Sequence, residues 1–146
     1  MTARLHHLLI VVLGSSACLA NVAPDVGELA VGECDPEDHD PGMDVDFEMD
    51  VLPLLQERCS CHDPDGPFPS GVNVSGFSIE NYRELLAGGD NSGEDIVVPG
   101  DPCASVLIQK VGEAPPFGSR MPQFGPYLSD DQREMLHDWI AEGAKR

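Results

Sequence analysis

"DFEMDVLPLLQERCSCH", residues 46–62, ends in two cysteines one residue apart, Cys59 and Cys61, with His62 directly after the second. Two thiols and an imidazole within four residues form a compact ligand set. The run before them decides how they are presented. Phe47, Val51, Leu54 or Leu55 and Arg58 recur at three-to-four-residue spacings, the period of an amphipathic helix. Pro53 is awkward inside it, so the helix starts or kinks there with proline in its first turn. The Cys/His group therefore falls at a helix end, where the loop "HDPDGPFPSG" (residues 62–71) takes over.

Working outward, three more helices are expected. In "SIENYRELLAGG" (residues 78–89), Ser78 is placed to cap, Ile79, Tyr82, Leu85 and Leu86 share a face, and Gly88 stops the helix. In "GDPCASVLIQKVG" (residues 100–112), Asp101 caps, Pro102 takes the first helical position and Gly112 ends it. In "LSDDQREMLHDWIAEGA" (residues 128–144), Ser129 and Gln132 make a capping box, and Asp130 and Asp131 sit at the positive end of the helix. Its apolar stripe is Leu128, Met135, Leu136, Trp139 and Ile140, with Gly143 as terminator. His137 lies off that stripe and is expected in solvent. No strand alternation competes and no internal repeat is present. The fold expected for residues 47–146 is all-α, a small bundle of about four short helices joined by long Gly/Pro-rich loops such as "APPFGSRMPQFGPY" (residues 114–127).

The composition narrows the function. A net charge of −18 argues against nucleic acid and anionic lipid surfaces as partners and favours a basic protein partner. Residues 1–20 read as an export signal: Arg4 is followed by "LLIVVL" (residues 8–13) and then the small residues of "GSSACLA" (residues 14–20). The apolar run is too short to span a membrane. Cleavage after Ala20 would release the chain. Cleavage before Cys18 would expose a lipid-modifiable cysteine, although Ser15 stands where lipoprotein signals usually carry Leu. Either cut leaves an exported protein, periplasmic or at the cell surface, touching the membrane only through such an anchor. Residues 21–46 contain "GECDPEDHDPGMDVD" (residues 32–46) and read as a solvated, disordered acidic linker in which His39 is exposed. Calcium at Asp38, Asp40, Asp44 and Asp46 is the weaker reading, because the spacing lacks the EF-hand pattern and its final Glu.

Cys61–His62 at a helix end, in an exported chain with few aromatic residues, fits haem attachment. Haem would add apolar bulk that so small a domain lacks. A c-type haem is normally held by C-x-x-C-H, and here the motif is C-x-C-H, one residue short. His62 is the candidate proximal ligand. Met121, in a Gly/Pro-rich loop and followed by Pro122, is the candidate distal ligand, a soft thioether that raises the reduction potential. Residues two apart on a helix point about 200° away from each other. Cys59 and Cys61 thus cannot both reach one haem without distortion, and Arg58 stands where the first cysteine is usual. Three outcomes stay open: Cys61 alone attaches, an unwound turn lets Cys59 attach too, or no haem is bound.

Four segments, "DVLPLLQERCSCH" (residues 50–62), "VVPGDPCASVLIQKV" (residues 97–111), "RMPQFGPYLSDDQ" (residues 120–132) and "LHDWIAEGA" (residues 136–144), occur in an informative order. In them the chain resembles the class I cytochrome c family, and especially the planctomycete-type cytochrome c-like domains of exported bacterial proteins. The resemblance implies haem c with its iron, carried by Cys59, Cys61, His62 and Met121. It also implies a cytochrome c-like bundle in which Phe47 and Val51 meet Trp139 and Ile140, and single-haem electron transfer to a redox partner. If both motif cysteines hold haem, Cys34 and Cys103 remain to form a disulfide; if only Cys61 does, Cys59 is free to pair with Cys34 or Cys103 and one thiol is left over. If none does, two disulfides account for all four cysteines, and the chain is a haem-less stapled binding or scaffold module. Zinc on Cys59, Cys61, His62 and Cys103 is a further alternative, strained by the adjacent Cys61–His62 pair. No nucleophile–base pair, phosphate loop or paired carboxylates speak for an enzyme.

Overall fold

Pro53 has no N–H to give to the turn before it, and the chain meets this by widening that turn. Residues Phe47–Val51 form one π-helical turn, in which the Leu52 N–H reaches back to the Phe47 carbonyl. The Asp46 carboxylate caps it, accepting the Met49 N–H at 2.8 Å. Helix α1, Leu52–Arg58, follows with Pro53 in its first turn. The computed structural model describes Cys34, Asp40 and residues 44–146. Residues 1–20, where an export signal is expected, with Cys18, and His39 and most of the acidic tract lie outside the described residues.

The described residues are all-α, with no strand among them and five α-helices. Beyond α1 these are α2 Ser70–Ser75, α3 Tyr82–Ala87, α4 Val106–Val111 and α5 Asp130–Ala141. The capping box of α5 is present, with Ser129 accepting from the Gln132 backbone and Gln132 from the Ser129 backbone. Gly88 ends α3 at a φ of 71°, where a side-chain carbon would overlap the Gly93 carbonyl.

Some local expectations are corrected. The cap of α3 is Asn81, which accepts the N–H groups of Arg83 and Glu84, while Ser78 turns the chain ahead of it by accepting from Glu80. Asn81 wins because its extended backbone sits directly before the first helical residue. Helix α4 starts at Val106 rather than at Pro102. Residues 102–104 form a preceding turn, closed by the Ala104 N–H on Asp101 and the Ser105 N–H on the Pro102 carbonyl. Helix α2 lies in a stretch read as loop.

The core joins the two ends of the domain. Phe47 is fully buried, its ring centroid 5.7 Å from Trp139 and 5.1 Å from Tyr82. Tyr82 donates its hydroxyl to the Ala144 carbonyl and Trp139 its indole N–H to that of Lys145, so the chain end folds back over the same cluster. Ile79, Leu55, Leu85, Val111, Leu136 and Ile140 complete it.

His137 is buried, not exposed, and so is Asp138. The segment before the first turn explains it. The Asp40 N–H bonds to Asp138, the Val45 N–H to Glu142, and a disulfide holds Cys34 to Cys103. Cys34, Asp40 and Val45 thus meet the face of α5 that sequence periodicity assigns to solvent.

Trp139→Ala should destabilise the fold by about 3–5 kcal/mol through lost burial and the cavity it leaves. The check is the urea midpoint followed by circular dichroism. An unchanged midpoint would place the core elsewhere.

Candidate functional site

Helix α1 stops at Arg58, and the next residues tighten into one 3-10 turn, Ser60–His62. The Cys59 N–H still bonds to Leu55, and the His62 N–H to the Cys59 carbonyl. This geometry separates the two thiols. Cys59 packs half-buried against the core, and burial pushes its thiol up from 9.0 to about 11, partly offset by the Arg58 charge. Cys61 is exposed. Both remain thiols, since the described disulfide joins Cys34 and Cys103, with 5.5 Å between their Cα atoms. That pairing removes Cys103 from the set considered for zinc.

His62 is held from two sides. Its Nδ1 lies 3.2 Å from the Phe77 carbonyl, and its own carbonyl accepts the Ile79 N–H at 2.9 Å. A carbonyl can only accept, so Nδ1 carries the proton in this bond and the Nε2 lone pair is left available. The Phe77 ring packs 5.1 Å from the imidazole. On another side, α2 comes so close that a side-chain carbon on Gly71 would meet His62 Cε1 and Nδ1 at 2.8 Å. Burial pulls the imidazole below its usual 6.5, and the nearby Lys110 charge adds to this, while the Phe77 bond opposes it. Phe77 and Gly71 were not among the sequence candidates. The only hint was a glycine within "PSG".

Met121 is half-buried, and its N–H bonds to the Lys110 carbonyl at 2.7 Å. Three of the chain's eight basic side chains stitch its loop, all to backbone carbonyls. Lys110 donates to Phe117 and Ser119, Arg58 to Pro126 and Tyr127, and Arg120 to Val111. Arg120 also stacks over the Tyr127 ring. Arg58 directly precedes Cys59, and Lys110 is near enough to His62 to influence its proton affinity. The Met121 loop is therefore tied to both the Cys/His turn and the helix beside it. Phe68, between His62 and α2, is 76 % exposed, and Phe124, in the Met121 loop, is 92 % exposed.

No family model, curated protein or solved structure matches the chain. Among the described residues, no helix is long and apolar enough to cross a membrane.

Two of the shifted groups, His62 and Cys59, set pH limits on the stability of the chain. The part of the stability that comes from His62 is present above its usual 6.5 and is lost as the pH falls through the lowered folded value. The part from Cys59 is present below 9.0 and is lost as the pH rises towards about 11. At pH 8, Cys59 should alkylate roughly 100-fold more slowly than in the unfolded chain, two pH units of thiolate fraction, with Cys61 labelled first. Peptide mass spectrometry of a timed iodoacetamide reaction checks this. Equal labelling of both cysteines would contradict the placement of Cys59.

Proposed function

We propose that the chain is an exported c-type electron carrier whose single haem is attached through Cys61 alone. The observation that carries this is the state of His62. It is neutral, oriented by the Phe77 carbonyl at Nδ1, packed by Phe77 and Gly71, and has Nε2 left for a metal. Metal-bound histidines are held in this way, by a second partner that fixes the tautomer and the ring plane. The exposed thiol one residue earlier suits a thioether, and the core position of Cys59 suits a packing role. Met121, on a loop stitched to the same region, would supply the second protein ligand to the iron.

When bound, haem would supply one-electron chemistry at an iron held by nitrogen and thioether. The chain's own residues would fix its orientation and keep water from it. Lys110 would add a positive charge near the site, which favours the reduced form, as would the Met121 thioether. The acidic surface would steer a basic redox partner, and export, with or without a lipid on Cys18, would place that partner outside the cytoplasm. A haem-less module stapled by two disulfides gains less support, because Cys59 and Cys61 both stay unpaired.

Export of the chain together with a cytochrome c maturation system, followed by haem staining of a denaturing gel, tests the proposal. The wild type and Cys59→Ser should stain, and Cys61→Ser should not. An unstained wild type, or a stained Cys61→Ser, would overturn it. Met121→Ala should keep the stain and lower the reduction potential. An unchanged potential and spectrum would remove Met121 from the iron.

A further inference from the structure

The disulfide that ties Cys34 to Cys103 closes directly against α5. Both sulfurs and one ring nitrogen of His137 lie within 4.8 Å of one another. The cysteines are half-exposed, so a reductant can reach the sulfurs, while His137 is buried behind them. Asp138 is fully buried beside it, Oδ1 lying 3.8 Å from His137 Nδ1. That oxygen accepts the Asp40 N–H, and Oδ2 has no hydrogen-bond partner among the described residues. A buried carboxylate with an unsatisfied oxygen is costly in an apolar setting, and a cation beside it relieves the cost. The electron-transfer reading uses none of these groups.

We propose that Cys34, Cys103 and His137 are a reduction-gated site for a thiophilic d10 divalent cation of the zinc class, with the Asp138 carboxylate as its neighbouring counter-charge. The gate is thiol–disulfide exchange. A dithiol reductant delivers two electrons and two protons to the S–S bond, leaving two thiols here and an internal disulfide on the reductant. The cation then displaces the two thiol protons to solvent and takes two thiolates and the imidazole lone pair. Tetrahedral zinc with Zn–S near 2.3 Å holds its sulfurs about 3.8 Å apart. The present cluster already gathers all three donor atoms within a span close to that. The cross-link joins residues 69 apart in sequence, and it narrows the unfolded chain by closing that loop. A metal on the same sulfurs closes the same loop, so Cys34 stays beside Cys103 in either redox state.

Cobalt(II), an optical stand-in for zinc, is titrated into the full chain before and after treatment with a phosphine reductant, and zinc is added to the reduced chain during thermal melts. Thiolate-to-cobalt absorption should reach one equivalent only after reduction. It should vanish in the Cys34→Ser, Cys103→Ser double variant and bind at least about tenfold more weakly in His137→Gln. Zinc should restore the melting temperature lost on reduction, but not in His137→Gln. Cobalt–thiolate absorption before reduction would place the metal at Cys59 and Cys61 instead. Absorption undiminished in His137→Gln, or a reduced chain that cobalt does not colour and zinc does not restabilise, would also overturn the proposal. None of these readouts depends on haem, so failure here is separable from failure of the electron-carrier reading.

Discussion

Phe47 against Trp139 is the contact on which the other elements depend. Four of the five α-helices have only six or seven residues, well below the roughly 12–15 at which an isolated helix becomes even marginal in water. None of these four holds its shape through its own hydrogen bonds. The two aromatic rings lie near opposite ends of the described chain, one in the turn that leads into the Cys/His segment and one in the single long helix. Their meeting, with Tyr82 and the returning chain end, fixes where α1 points and so where Cys59, Cys61 and His62 emerge.

The same shortage of regular structure explains why backbone carbonyls are so often answered by side chains. The loop around Met121 has little hydrogen bonding of its own; Lys110 and Arg58 take up its carbonyls, and its own Arg120 reaches back to the Val111 carbonyl of α4. In a chain of net charge −18, this gathers three scarce cations at one place beside the candidate site. Burial lowers the Lys110 pKa, a sign that this cation is drawn in from the surface. At the other edge, the Cys34–Cys103 cross-link lies beside the buried His137, and the Asp40 N–H bonds to the buried Asp138.

The sequence was most legible where one local device sufficed. The Ser129/Gln132 box, the Gly88 and Gly112 stops and the apolar stripe of α5 all act within one or two turns, and each is found in the structure. It was least legible where distant chain decided the outcome. His137 reads as exposed from helical period alone, and only the covering segment, held from Cys34, reverses that. Helix α2 has no apolar stripe, and it exists as packing against His62, with Gly71 small enough to allow it. The Pro53 problem was visible, but its solution as a widened π turn was not, since both geometries leave Phe47 and Val51 on one face. For the site, Cys61, His62 and Met121 could be picked out by residue type. The Phe77 carbonyl, which orients the imidazole, carries no side-chain signature at all.

The most direct test is the intact mass of the exported chain, produced with a cytochrome c maturation system and measured under denaturing conditions. The account predicts the polypeptide plus one haem, with one thiol still open to alkylation and one disulfide. An unmodified polypeptide with two alkylatable thiols would contradict it, and would make His62 a well-packed histidine without a metal.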